Sequence, residues 1–219
     1  MSVQSVVKQA RSAASAELSV TLRSPEGELH FSSVAAQDAD AMDTVQTLRY
    51  RAYRAEGYIP ENATKRFFDE YDFVPVNRSF LTYCEGRLIG SVRACVSSPE
   101  HGEHLPATEI YESEIAREVG FDKTIVESNK FVFEPGFRQS GGLAARLILV
   151  RNVLNYAMEI DADVIITAVR RSHARIYKSF GFRPISQARR YPLLDFDTIL
   201  MSCEDLTAAD QYIGAKLGS

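Results

Sequence analysis

The chain predicts an α/β fold on a mixed, mostly antiparallel central sheet flanked by helices, and three observations carry that prediction. Apolar residues alternate over 18–31, 80–97 and 124–133, the period of half-buried strands. Two helical periods, over 38–56 and 141–160, separate and follow them. A short continuous apolar run over 162–169, centred on Val164-Ile-Ile166, reads as a central strand buried on both faces. The order is strand, helix, hairpin, strand, glycine turn, helix, buried strand, helix, strand.

Residues 1–16 are small and polar without a period, and read as a tail before one domain over 17–219. Leu18, Val20 and Leu22 alternate, Ser24-Pro-Glu-Gly27 turns, and Leu29 and Phe31 alternate again, which predicts a hairpin. The helix over 38–56 puts Val45, Leu48 and Ala52 at core spacing, and Arg49 and Tyr53 share one of its faces. The stretch 61–76 has no period. Its aromatic pairs predict packing, and Asp69, Glu70 and Asp72 predict a polar lining. The hairpin over 80–97 turns at Glu85-Gly86-Arg87 and carries Arg93 on its second strand. A loop-rich stretch with a short helix fills 101–120.

The strand over 124–133 follows, and its alternation predicts Ile125, Glu127, Asn129, Phe131 and Phe133 on one side. The next helix presents Leu143, Leu147, Val150, Leu154 and Met158 to a core. A shorter helix over 172–179 ends at Gly181. Leu193-Leu194 and 198–201 form a terminal strand, and the last residues a short helix.

Chemistry concentrates at 124–160. Between strand and helix stands Arg138-Gln-Ser-Gly-Gly-Leu-Ala144. Bare backbone N–H groups at such a turn and helix start cradle an anion, here read as the phosphate of an acyl carrier. The alternative is a plain strand-to-helix connection. Glu127, a few residues upstream, is a carboxylate among apolar neighbours, which is costly unless it faces a cleft or a partner. It reads either as a base acting on the acceptor or as a salt-bridged structural acid.

Charge is uneven. Over 138–190 ten Lys or Arg stand against three acids, a local +7 in a chain whose net charge is −4. That points to a negatively charged partner: nucleic acid, an acidic carrier protein or a cofactor phosphate. Cys84, Cys95 and Cys203 are widely spaced without a metal pattern, and read as buried residues of a reducing cytoplasm. No apolar run has transmembrane length, and the first residues lack a basic region followed by an apolar block, so no leader is expected.

Arg138-Gln-Ser-Gly-Gly-Leu-Ala144 and Ala174-Arg-Ile-Tyr-Lys-Ser-Phe-Gly-Phe182, in this element order, resemble the GNAT acyltransferase superfamily. Leu48-Arg-Tyr-Arg-Ala-Tyr53, Asp69-Glu-Tyr-Asp72, Gly90-Ser-Val-Arg93 and Glu127-Ser-Asn-Lys-Phe131 are similar to the acyl-homoserine-lactone synthases. The chain departs from those synthases in having no Trp, in Lys130 where arginine is usual, and in a tail after Phe182 like an ordinary GNAT. The mixture looks most like the N-acyl amino acid synthases, which join a fatty acyl group from acyl carrier protein to an amino acid. The resemblance spans 31–201.

The resemblance implies a GNAT-like sheet with a split that forms an acyl and pantetheine groove. It implies Glu127 and Tyr177 as catalytic residues, Tyr177 beside the thiol leaving group. Arg49, Tyr53, Asp69, Asp72 and Arg93 would line the acceptor site, with the arginines either binding the acceptor carboxylate or holding the aspartates. Asn129, Phe131, Phe133, Arg138, Gln139, Ser140, Gly141, Gly142, Leu143 and Ala144 would hold the acyl-pantetheine. Counted from Gln139, Gly142 and Ala144 fall in the small positions of the usual glycine turn, whereas counted from Arg138, Leu143 falls in one of them.

An imperfect cradle beside the basic flank favours acyl carrier protein, docking on 138–190, as donor, with acyl-CoA as the alternative. No permanently bound cofactor, metal or nucleic acid is expected, and transient membrane contact would serve product release. The competing functions are a lactone synthase using S-adenosylmethionine, an N-acetyltransferase using acetyl-CoA, and a non-enzymatic binder of fatty acyl groups or nucleotides.

Overall fold

The computed structural model describes residues 18–24, 27–100, 102, 104–137, 142–191 and 196–218. The expected tail, the first four residues of the glycine turn (Arg138, Gln139, Ser140, Gly141) and Leu193-Leu194 lie outside them.

Nine strands form one sheet: β1 (Leu18–Ser24), β2 (Gly27–Ala35), β3 (Arg78–Cys84), β4 (Arg87–Ser97), β5 (Ile125–Phe133), β6 (Val164–Arg170), β7 (Arg183–Pro184), β8 (Arg189–Arg190) and β9 (Asp197–Cys203). Their order is β1-β2-β3-β4-β5-β6-β9-β7, with β8 on β9. Every pairing is antiparallel except β5 with β6. Parallel neighbours require a crossover, and the helix that follows the glycine turn supplies it.

The helices are α1 (Ala39–Ala55), α2 (Thr108–Glu118), α3 (Gly142–Glu159), α4 (Ala174–Ser179) and α5 (Leu206–Leu217). Asp38 caps α1 by accepting from the Ala41 N–H at 2.8 Å. Burial separates the faces of the sheet. α3 and α5 cover one, with Ile148, Leu154 and Ile213 against Val92, Val126 and Ile165. On the other, Tyr111 and Ile115 of α2 pack with Cys95, Ile125 and Ile166. Leu48 and Tyr53 of α1 pack there with Val132. The unpatterned stretch is tied down as well: Asn77 donates to the Tyr71 carbonyl at 2.9 Å and accepts from the Val96 N–H at 2.9 Å.

Two local features correct the expected geometry. First, the alternation of β5 breaks at Lys130, whose φ is 49°. Ser91 pairs with Val132 and Arg93 with Asn129, so Val92 stands opposite two residues, a β-bulge. The bulge reverses the side-chain phase. Ile125 stays on the α2 face, Val132 joins α1, and Phe131 and Phe133 turn to the α3 face. The five residues expected on one side are thus divided between two. Gly90 beside the bulge has to be glycine, since a Cβ there would lie 2.9 Å from the Val132 carbonyl oxygen. Second, Leu143 is 57% exposed and lies outside the core stripe of α3, which buries a broader face including Ala145, Leu149 and Val153. The two-residue strand β8 had no sequence signal, being too short to show a period.

Candidate active site

The parallel pairing of β5 and β6 runs only from Ile125–Val164 to Glu127–Ile166. Thr167 makes one more tie, its hydroxyl donating to the Ser128 carbonyl at 2.8 Å. Beyond it the strands part. A cavity of about 850 Å³ opens there, lined by residues from both faces of the sheet.

On the α1 face lies a buried charge cluster. Arg49 is 0% exposed. Its Nη1 donates to both Asp72 oxygens at 2.8 and 2.9 Å, and its Nη2 to Ser79 Oγ at 2.8 Å. Arg93, 1% exposed, donates from Nη1 to Asp69 Oδ1 and, at 2.9 Å, to Asp72 Oδ1, and from Nη2 to Asp69 Oδ2 at 3.1 Å. Lys130 Nζ stands 3.1 Å from Asp69 Oδ2 and 4.4 Å from the centroid of the Phe67 ring.

The aspartates reach this position because Asp69 precedes and Asp72 sits within the 3-10 turn Glu70–Phe73, where the Asp69 N–H donates to Asp72 Oδ2 at 3.3 Å. Burial would raise the Asp69 pKa, but the bonds from Arg93 and the charge of Lys130 bring it down to about 2. Of the two roles open to Arg49 and Arg93, their side chains perform the second: they hold Asp69 and Asp72. Tyr53 forms a wall, edge-on to Phe67 at 4.9 Å, and burial pushes its pKa up to about 12.

Glu127 adjoins this cluster and is 1% exposed. Its Oε2 accepts from the Ala107 N–H at 2.7 Å, and its Oε1 from Asn129 Nδ2 at 3.1 Å. The Asn129 amide is oriented by its other end, since Oδ1 accepts from Arg93 Nε at 2.8 Å. Glu127 has no ion-pair partner among the described residues, so it is not the salt-bridged structural acid. Burial raises its pKa to about 7, against the pull of the Ala107 and Asn129 bonds and the charges of Arg93 and Lys130. Three cations face two aspartates here, so ionised Glu127 brings the cluster to neutrality. Asn129, expected along the acyl-pantetheine, lines the cavity and is bound to Glu127, on whose side it stands because it precedes the bulge.

The α3 face is aromatic. Phe131, Phe133 and Phe137 form a chain with centroids 5.4 and 6.3 Å apart, and the Arg146 guanidinium lies 5.2 Å from the Phe133 ring centre. Tyr177 is buried edge-on to Phe180 and Phe182, and lines the cavity. Burial raises its pKa to about 12, opposed by Arg146 and a bond with the Thr167 side chain. Of the glycine turn, Gly142 lines the cavity, while Leu143 and Ala144 do not.

Residues that the sequence reading passed over complete the α1 face. Tyr58, Tyr191, Phe196 and Arg170 line the cavity with Tyr53. The Arg170 guanidinium lies 4.3 Å from the Tyr58 ring centre and 4.2 Å from that of Phe196, in the corner between two rings 68° apart. One signal was present: an arginine ends the apolar run 164–169, and strand ends are where sites form. Tyr191 and Phe196 had none, because only the chain path brings them there.

The local +7 is smaller in space than along the chain. Arg151 pairs with Asp210, Arg183 with Glu204 and Glu118, and Arg189 with Glu114, all acids from outside the segment. Arg171, Arg175 and Lys178, on and beside α4, remain exposed with no ion pair among the described residues. Among the described residues no cluster of His, Cys, Asp and Glu could hold a metal ion, and no helix is long and apolar enough to cross a membrane.

Solved structures share this architecture. FeeM, an N-acyl amino acid synthase from uncultured soil microbes, superposes with a TM-score of 0.64 over 91% of this chain and 99% of its own, at 19% identity. BjaI, a CoA-dependent acyl-homoserine lactone synthase, gives 0.64 over 85% and 88% at 14% identity. Escherichia coli ElaA gives 0.57 over 80% and 99% at 14% identity. At these identities the likeness is one of fold, a GNAT-like split sheet. No curated protein matches the sequence. The family model described as N-acyl amino acid synthase FeeM matches residues 44–204, and with most of the chain so matched, the protein belongs to that family of acyltransferases.

Proposed function

We propose that the protein transfers a long-chain fatty acyl group from acyl carrier protein to the α-amine of an amino acid. One observation carries the reading: Glu127, with its pKa at about 7, lies where the sheet opens to both faces. The α-amine of a free amino acid, more basic than the chain-terminal amine whose reference pKa is near 8, enters as the ammonium. Glu127 takes one proton from it. The freed lone pair attacks the thioester carbonyl, the C–N bond forms, and the C–S bond breaks as the tetrahedral intermediate collapses. The nitrogen loses a second proton, which ends on the departing thiolate, while the first leaves Glu127 for solvent.

A base near pKa 7 suits this exchange better than an ordinary carboxylate. Tyr177, at about 12, is too weak an acid to protonate a thiolate outright, so its part is a hydrogen bond to the sulfur or the carbonyl. The aromatic chain of Phe131, Phe133 and Phe137 suits an acyl-pantetheine arm. A carrier protein is favoured over free coenzyme A by the irregular glycine spacing and by the exposed cations Arg171, Arg175 and Lys178 on and beside α4.

The test supplies acyl carrier protein and coenzyme A loaded with the same chain, offers a panel of amino acids, and reads products by mass spectrometry. N-acyl amino acids made faster from the carrier protein support the reading. A strong preference for coenzyme A removes the carrier protein, and acetylated small amines without lipid products overturn the reading altogether. Glu127→Gln is expected to fold and to lower turnover about 100-fold; an unchanged rate would take Glu127 out of the mechanism.

A further inference from the structure

The cavity holds cations on both faces, and their partners differ. Arg49 and Arg93 are fully buried and bound to Asp69 and Asp72, and Lys130 is bound to Asp69. Arg49 and Arg93 do not line the cavity, and Lys130, which does, already neutralises Asp69. Arg170 is different. It makes no side-chain hydrogen bond and no ion pair among the described residues, and its contacts are the two rings of Tyr58 and Phe196. Ring contacts satisfy the π-face of a guanidinium and leave its in-plane N–H donors for an oxygen acid. The corner also restrains the side chain before any ligand arrives, which reduces the entropy lost on binding.

Position decides which anion it meets. Side chains alternate along β6, so Arg170 shares a face with Ile166 and Ala168, which pack on the α2 side, and not with Ile165 and Val169, which pack under α3. Its ring partners, Tyr58 and Phe196, pack with the α1 cluster. Glu127, the proposed base, lies opposite Ile166 on that same face. Arg146, the other cavity-lining arginine without an ion pair among the described residues, stands over Phe133 on the opposite face, beside the remaining part of the glycine turn. The cavity therefore offers one open arginine to each substrate.

We propose that Arg170 binds the α-carboxylate of the acceptor and makes the enzyme select amino acids over amines and amides that lack this charge. The inference rests on the proposed acylation of an amino acid. Arg170 places the acceptor by one end while Glu127 works on the other. Tyr53, Tyr58, Tyr191 and Phe196 then form the wall beside it.

The experiment compares a preferred amino acid with its carboxamide as acceptors, for the wild type and for Arg170→Gln and Arg170→Lys, with KM measured separately for acceptor and donor. The wild type is expected to use the amide about 10- to 100-fold less well in kcat/KM, the range of one charge-assisted bond. Arg170→Gln should raise the amino acid KM by a similar factor, leave kcat and the donor KM nearly unchanged, and bring the acid-to-amide ratio close to one. Arg170→Lys should keep part of the preference. If the wild type acylates amino acid and amide equally, the inference fails while the proposed function stands. If Arg170→Gln raises the donor KM instead, Arg170 serves the donor phosphate and the inference is overturned. If no amino acid is acylated by the wild type, both fall.

Discussion

The two faces of the split sheet share a strand and differ in how they treat charge. On the α1 face, Arg49, Arg93 and Lys130 are buried with Asp69 and Asp72 in a closed network. On the α3 face, a run of phenylalanines, Phe131, Phe133 and Phe137, stands beside Arg146. The first arrangement is rigid, because Arg49, Arg93, Asp69 and Asp72 are each held by two or more bonds. The second is held by packing and accepts a flexible apolar arm. The difference suits the two substrates proposed for them: a small zwitterion needs its amine aimed, whereas an acyl-pantetheine needs a long, forgiving channel. One residue, Lys130, decides the division, since the bulge at its left-handed φ of 49° sends β5 side chains to opposite faces on either side of it.

The largest test of this contrast is to break the network at its centre. Asp72 receives bonds from both Arg49 and Arg93, and its side chain is fully buried. Asp72→Asn should cost about 3–5 kcal/mol, the usual penalty for stranding a buried charge, read as a fall in the urea midpoint. A loss under ~1 kcal/mol would mean that the cluster is not a structural unit.

Next in size is a pH effect. Glu127 ionises at about 7, so kcat/KM should fall roughly tenfold for each unit below that value as the base takes up a proton. The sign of the linked stability follows from the upward shift. The contribution of Glu127 to folding is complete below its unfolded value and is lost as pH rises through the folded one. The ionised form that the proposed mechanism needs is therefore the one the fold tolerates less. A flat rate profile between pH 5.5 and 7 would detach Glu127 from proton transfer.

The smallest effect belongs to the α3 face. Tyr177→Phe removes only a hydroxyl that already has Thr167 as a neighbour. Turnover should drop less than about tenfold, the worth of one ordinary hydrogen bond. A hundredfold loss would make Tyr177 the acid after all and give both faces a proton-transfer role.

How much of this was legible in the chain depends on the range of the interaction. Each long element announced itself, because burial of one face imprints a period on its own residues: the hairpins before 35 and 97, the helix after Asp38, the run around Val164. Glu127 was conspicuous for the same reason, as a carboxylate inside an apolar strand. The bulge at Lys130 was not, because it is a mismatch between β4 and β5 and leaves no mark on either strand alone. It left Asn129 on the side of Glu127 and moved Phe131 and Phe133 away from it. The basic segment also looked stronger along the chain than it is in space, since Glu114, Asp210 and Glu204 reach it from other elements.

By itself, then, the sequence determined the long helices and strands, their order, and a glutamate hidden in an apolar strand. Those are local properties, set by the apolar pattern of a few consecutive residues and by the cost of hiding one charge. Only the tertiary structure decided that Arg49 and Arg93 are spent on aspartates while Arg170 remains open between Tyr58 and Phe196. These rings come from segments more than a hundred residues apart, and nothing in either segment's own pattern specifies the other. Their meeting follows from the sheet order, which places the end of β6 and the start of β9 beside the loop after α1.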